Sequence, residues 1–65
     1  MPRKLRMLFR DLERAGFRQV GGKGSHRNFV HPKFAGRLTL SGAPGDDADR
    51  YKEKLVRQAI EETKR

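Results

Sequence analysis

The chain of 65 residues contains no cysteine, so neither a disulfide framework nor a thiolate zinc site can stabilise it. No apolar run approaches the roughly 20 residues that a membrane-spanning helix needs. The N-terminus also lacks the continuous apolar segment of a secretory signal. We therefore expect a single cytoplasmic domain over residues 1–65, with no membrane contact. One compact core must stabilise it, together with a partner or self-association.

Acidic residues are scarce, with eight Asp and Glu against 16 Lys and Arg, and the net charge is +8. The excess is uneven, because residues 1–37 contain ten basic and two acidic side chains, whereas residues 38–65 contain six of each. A one-sided basic surface concentrates polyanions and releases their counterions on binding. The composition therefore favours a nucleic-acid partner over an acidic protein partner.

The apolar spacing predicts a helix at each end of the chain. Leu5, Leu8, Phe9 and Leu12 follow the spacing of one helical face, after Pro2 at the first helical position and before a stop at Gly16. Asp46 or Asp47 is expected to cap a second helix that runs to about Glu62. The apolar stripe of this second helix contains Ala48, Tyr51, Leu55, Val56, Ala59 and Ile60.

Glycines and prolines between the helices delimit three strands. We expect strands over residues 17–20, over residues 25 or 26 to 31, and over residues 37–40, with a turn at residues 33–36. Short loops that contain glycine join neighbouring strands as antiparallel hairpins. The order of elements predicts an α+β fold, a two-layer sandwich in which both helices cover one face of a three-stranded antiparallel sheet.

Side-chain alternation predicts which residues of the second strand face the helices. Phe29 is its best core anchor, so its face, shared with Arg27 and His31, should be covered. His26 and Asn28 then project from the uncovered face, at the mouth of the glycine-rich segment. The same alternation predicts that Leu38 and Leu40 of the third strand point inward. Arg37 and Thr39 should then point outward.

The segment GGKGSH, residues 21–26, is the candidate site. Its three glycines allow a ligand to approach the backbone, whose N–H groups can bind an anion. Histidine is a competent base near neutral pH because its reference pKa is about 6.5, and RNA carries its own nucleophile, the 2′-hydroxyl. We expect His26 to cleave RNA without a metal; a non-catalytic RNA-binding module is the alternative. The residues expected to bind RNA are Lys23, Gly24, Ser25, Arg27 and Arg37.

Other features of this segment point to ordinary structural roles. The GGKG sequence matches the G-x-x-G loop of some RNA-binding modules but lacks their flanking helices, and its spacing is wrong for a nucleotide-binding P-loop. Ser25 is more typical of a capping hydroxyl than of a nucleophile. His31 lies at the far end of the strand, and we expect a structural or solvated role for it. Two histidines without converging carboxylates predict no metal site.

The order Lys23-Gly24-Ser25-His26, followed by Phe29 in the strand, resembles the HicA toxins of bacterial type II toxin–antitoxin systems. The similarity covers essentially the whole chain, including a first helix that ends at Ala-Gly-Phe, the KGSHRNFVHP segment, a third strand and the GDDADRYKEKLVRQAIEE helix. Many relatives carry a proline and a histidine after the third strand, whereas residues 41–45 here read SGAPG.

This resemblance implies a fold like that of the double-stranded-RNA-binding domain. It also implies a metal-independent endoribonuclease, an mRNA interferase, that needs no cofactor and uses His26 as its catalytic residue. The implied partner is a HicB-type antitoxin, which binds the toxin in a hetero-oligomer and covers His26.

Overall fold

The computed structural model describes residues 3–24 and 26–64. The elements in chain order are α1 (Leu5–Arg14), β1 (Arg18–Gln19), β2 (His26–His31), β3 (Phe34–Ser41) and α2 (Arg50–Thr63). The three strands form one antiparallel sheet in the order β1-β2-β3. The predicted α+β fold, with its α-β-β-β-α order, is therefore confirmed. No helix among the described residues has the length and apolar character to cross a membrane.

The core lies between one face of the sheet and the two helices. Phe29 of β2 is at its centre, 1% exposed, with its ring stacked on Phe9 of α1 at a centroid distance of 5.7 Å. Burial of each large apolar side chain stabilises the fold by about 1.5–3 kcal/mol. The other buried apolar residues come from both helices, the sheet and the connecting segments: Leu5, Leu8, Leu12, Phe17, Leu38, Leu40, Ala48, Val56 and Ala59.

The first helix is capped by a distant part of the chain. It begins at Leu5, not directly after Pro2, which lies outside the described residues, and the preceding Lys4 makes no side-chain cap hydrogen bond. Instead, the N–H groups of Leu5 and Arg6 donate to the carbonyl oxygens of Asp46 and Pro44, at 2.9 and 3.0 Å. Because the first N–H groups of a helix have no partner within it, the segment before α2 completes the start of α1.

The prediction of Asp46 or Asp47 as the cap of α2 was wrong. Asp49 is the cap, and its carboxylate accepts a hydrogen bond from the Lys52 N–H at 2.8 Å. The carboxylates of Asp46 and Asp47 have other partners. That of Asp46 accepts the Ala43 N–H at 2.9 Å, and that of Asp47 pairs with the Lys4 ammonium group.

Tyr51 does not belong to the buried stripe of α2, contrary to prediction. It is 70% exposed, because it lies five residues before Val56 and therefore about 140° away around the helix. The buried positions are Val56, Ala59 and Thr63, with Leu55 and Ile60 packed at the margins of the core.

The predicted turn at residues 33–36 was also wrong, because β3 already begins at Phe34. The connection is only Pro32 and Lys33, and His31 pairs with Phe34 across it. The Phe34 ring packs on Phe17 at 5.5 Å, which holds it in the sheet. A register shift follows between the His31 and Phe29 pairs, and Gly36, at φ +77°, lies within that irregularity. This glycine therefore serves a bulge rather than a turn.

His31 fastens the end of α1 to the β2–β3 hairpin. Its Nε2 donates to the carbonyl oxygen of Ala15 at 3.0 Å, and its Nδ1 accepts the Lys33 N–H at 2.9 Å. The ring also packs on Phe17 at 5.0 Å. Because both ring nitrogens have partners, this histidine has a structural role.

We expect His31→Ala to lower the free energy of unfolding by about 1–3 kcal/mol, because it removes two hydrogen bonds and a packed ring. Chemical denaturation followed by circular dichroism measures this change. The matched control is His26→Ala, at the exposed start of the same strand, for which we expect a change below about 0.5 kcal/mol. Equal stability of His31→Ala and the parent protein would contradict the structural role.

Candidate functional site

The glycine loop, residues 21–24, is folded against the first residue of β2. The His26 N–H donates to the Lys23 carbonyl oxygen at 3.0 Å; Ser25, between them, lies outside the described residues. Gly22 has φ +125°, and a Cβ at this position would collide with the His26 carbonyl oxygen. The close approach of Gly22 therefore requires glycine, and it fixes the backbone from which the His26 imidazole projects.

The sheet face turned away from the helices, here called the open face, carries His26. Cross-strand pairs place His26 beside Ser41, and Asn28 beside Thr39. Paired residues of an antiparallel ladder share a face, and Phe29 and Leu38 occupy the opposite, helix-covered one. His26 is exposed, so its ring is accessible to a ligand on the open face.

The open face and its loop are positively charged. The three strands contain no carboxylate, and Arg18, Lys23 and Arg37 are all exposed. Within residues 3–24 and 26–64, none of these three has a carboxylate within 4.0 Å, because the ion pairs there are Arg3–Asp11, Lys4–Asp47 and Lys52–Asp49. An uncompensated cluster of this kind attracts anions.

Arg27 lies on the helix-covered side of the sheet, away from the His26 ring. Its guanidinium carbon is 4.9 Å from the centroid of the Phe9 ring, and Nη1 donates to Gln19 Oε1 at 3.2 Å. Nε is buried, with no hydrogen-bond partner among the described residues. Sequence neighbours in a strand point to opposite faces, so the structure does not bring Arg27 and His26 together. RNA binding by Arg27 stays a prediction.

Asn28 and Thr39 form a hydrogen-bonded pair on the open face that the sequence does not predict. Thr39 Oγ1 donates to Asn28 Oδ1 at 2.7 Å. Both residues were expected to point outward, but not to meet. If the register of the His31–Phe34 pair continued unshifted, Asn28 would lie opposite Arg37; the irregularity around Gly36 moves its partner to Thr39. The pattern of apolar residues in the sequence does not reveal a register shift of this kind.

Few side chains among residues 3–24 and 26–64 could bind a metal ion or exchange a proton with a ligand. No group of three or more His, Cys, Asp or Glu side chains comes together there in an arrangement that could hold a metal ion. His31 uses both ring nitrogens in the fold. His26 is therefore the imidazole available to exchange a proton with a ligand on the open face.

These features define a small α+β domain in which two helices cover one face of the sheet. The open face is basic and carries a histidine beside a glycine loop. The family model for the HicA toxin of bacterial toxin–antitoxin systems matches residues 6–63. The chain therefore belongs to the HicA toxin family, and it is the toxin of a toxin–antitoxin pair, with an antitoxin as its partner. No curated protein and no solved structure matches it.

Gly22 and Gly24 of the loop have different surroundings and give a matched test of the site. Gly22→Ala should displace the backbone of His26, because the added methyl group meets the His26 carbonyl oxygen. Gly24→Ala should cost only about 1–2 kcal/mol of backbone strain, because Gly24 has φ +58° and open space around it. We expect Gly22→Ala to lower stability further and to shift the NMR resonances of the His26 ring. Equal effects of the two substitutions would contradict the positioning role of Gly22.

Proposed function

We propose that this toxin is a metal-independent endoribonuclease, an mRNA interferase that cleaves mRNA in the cytoplasm and stops growth. The observation that carries the proposal is the placement of His26: exposed on the open face, beside the glycine loop, and among cations that lack carboxylate partners in the described chain. Cleavage of RNA through its 2′-hydroxyl needs a base, a phosphate-binding surface and a proton for the departing oxygen, and the proposed site supplies the first two.

The chemistry uses the nucleophile of the substrate. The neutral imidazole of His26 takes the proton of the ribose 2′-hydroxyl, and the 2′-oxygen forms a bond to the adjacent phosphorus. The bond between phosphorus and the 5′-oxygen breaks, and the departing oxygen keeps the electron pair and takes up a proton from the solvent, to which His26 later returns the proton it removed. The products are a 2′,3′-cyclic phosphate and a 5′-hydroxyl group. Because no water has to be activated for this step, it does not need a metal ion.

The cations of the site stabilise the charge that builds on the phosphate. Lys23 and the backbone N–H groups of the glycine loop lie next to His26 in the chain, and Arg37 extends the positive surface along β3. Ser25 and Gly24 complete the proposed contact with the RNA backbone. Donors and cations held in place before the reaction stabilise a developing charge without the cost of reorganisation.

The partner in this proposal is a HicB-type antitoxin that covers the open face. The same cations that attract RNA suit an acidic protein surface. An antitoxin seated there buries His26 and excludes RNA from the glycine loop. The two proteins then form a hetero-oligomer in which the toxin is inactive.

We expect His26→Gln to abolish cleavage and to relieve the growth arrest caused by the parent protein, since loss of a general base costs about 10²–10⁴-fold in rate. The measurement is cleavage of an mRNA transcript by purified protein, with EDTA present throughout. The matched control is His31→Gln, which should lower stability but still cleave RNA at a temperature at which it remains folded.

Two outcomes would contradict this account. Cleavage by His26→Gln at the parental rate would remove His26 from the catalytic role. Salt-sensitive binding of RNA by the parent protein, without scission, would instead establish a non-catalytic RNA-binding module.

A further inference from the structure

A second polar group lies on the open face within reach of the same ligand as His26. Asn28 is two residues further along β2 and on the same face, which places its Cα about 7 Å from that of His26. The residue is half-buried, and Thr39 Oγ1 donates to its Oδ1 at 2.7 Å in a solvent-exposed hydrogen bond. The geometry thus links His26, Asn28 and Thr39 on one surface.

The hydrogen bond from Thr39 determines what Asn28 offers to a ligand. An asparagine amide has one acceptor oxygen and two N–H donors. Here the oxygen faces the Thr39 hydroxyl, and the Nδ2 group has no hydrogen-bond partner among the described residues. Asn28 therefore presents donors to the open face, in an orientation that Thr39 holds fixed.

The surroundings of Asn28 favour an anionic or oxygen-rich ligand. The strands supply no carboxylate to compete for its N–H groups. Arg18, paired with Val30, is a cation of the open face, and Arg37 is exposed in the irregular part of β3. A phosphate oxygen is the acceptor that such a face attracts. A donor that is fixed in place at this distance from a base can contact the phosphate on which the base acts.

We propose that Asn28 Nδ2 donates a hydrogen bond to a nonbridging oxygen of the phosphate at which His26 promotes cleavage, and that Thr39 positions the Asn28 amide for this contact. The proposal rests on the proposed ribonuclease activity. It adds a substrate-contacting residue, Asn28, and a positioning residue, Thr39, to the site.

The first experiment compares Asn28→Asp with the parent protein in RNA cleavage. Aspartate keeps the oxygen that accepts from Thr39, so the fold should be retained, but it replaces the donor with a negative oxygen. We expect kcat to fall by about 10²–10³-fold, as for loss of one oxyanion donor, with a smaller change in KM. Gln58→Glu makes the same amide-to-carboxylate change at an exposed position of α2, and it should cleave RNA at the parental rate.

The second experiment tests the positioning role of Thr39. Thr39→Val removes the hydroxyl with little change in shape, and we expect kcat to fall roughly tenfold, because a misplacement of about 1 Å can cost up to 10²-fold. Thr39→Ser keeps the hydroxyl and should restore most of the rate. Thermal unfolding of each variant separates a loss of stability from a loss of positioning.

A phosphorothioate substrate locates the contact. Sulfur in place of one nonbridging oxygen should slow the parent protein, and the same substitution should have little further effect on Asn28→Asp, because the contact is already lost. This comparison is a double-mutant cycle between one side chain and one substrate atom. Independent effects of the sulfur and of Asn28→Asp would contradict a contact with that phosphate.

Binding of 2′-O-methyl RNA, which cannot be cleaved, separates this proposal from the proposed function. If the parent protein cleaves RNA and Asn28→Asp cleaves it equally well, the Asn28 contact is wrong and the ribonuclease stands. If the parent protein does not cleave RNA but Asn28→Asp weakens its binding more than Gln58→Glu does, Asn28 contacts the RNA, but the ribonuclease and a role of Asn28 in cleavage are both wrong. If there is neither cleavage nor a difference in binding, both are wrong.

Discussion

The burial of Phe29 is the constraint on which the site depends. Its ring stacks on Phe9 of α1, and its backbone pairs with Leu38 of β3. Because side chains alternate along a strand, this one contact determines the direction of every neighbour in β2. A slip of one residue would exchange the two faces and bury the histidine of the candidate site. Residues that pack in the core and residues of the candidate site therefore alternate along β2.

The two histidines of β2 show how position separates identical side chains. His31 bonds through both ring nitrogens to the ends of neighbouring elements, at Ala15 and Lys33. His26 begins the strand beside a loop of glycines and is open to solvent. His31 thus holds α1 against the sheet, and His26 is accessible to a ligand. The environment, rather than the residue type, decides which one can exchange a proton with a substrate.

Much of the fold could be predicted because it depends on local periodicity. The stripe of Leu5, Leu8 and Leu12 and the alternation around Phe29 both report which side faces the core. The predictions fail where contacts beyond the local pattern decide. Asp49 directly precedes α2 and caps it, whereas the Asp47 carboxylate pairs with Lys4, 43 residues away in the chain, a partner that no local rule predicts.

The candidate site was predicted to a similar extent and for the same reason. His26 follows from a motif and from alternation, so the sequence places it on the open face. The bond between Asn28 and Thr39 depends on a register shift around Gly36, a glycine whose local sequence predicts a turn. Arg27 lies on the helix-covered side, as the alternation predicts, with its guanidinium on Phe9 and its Nη1 bonded to Gln19 Oε1; its binding of RNA stays a prediction. Side-chain contacts between distant strands and helices require the folded structure.

The central claim is that the open face cleaves RNA through the 2′-hydroxyl of the substrate. Its most direct test is the chemical nature of the two new ends. A short RNA of known sequence, incubated with the purified toxin and EDTA, should yield a 5′-hydroxyl and a 2′,3′-cyclic phosphate, and a single 2′-deoxyribose at the cleaved position should prevent the cut. Products with a 5′-phosphate, or a cut at the deoxyribose, would show that water is the nucleophile and would contradict the account.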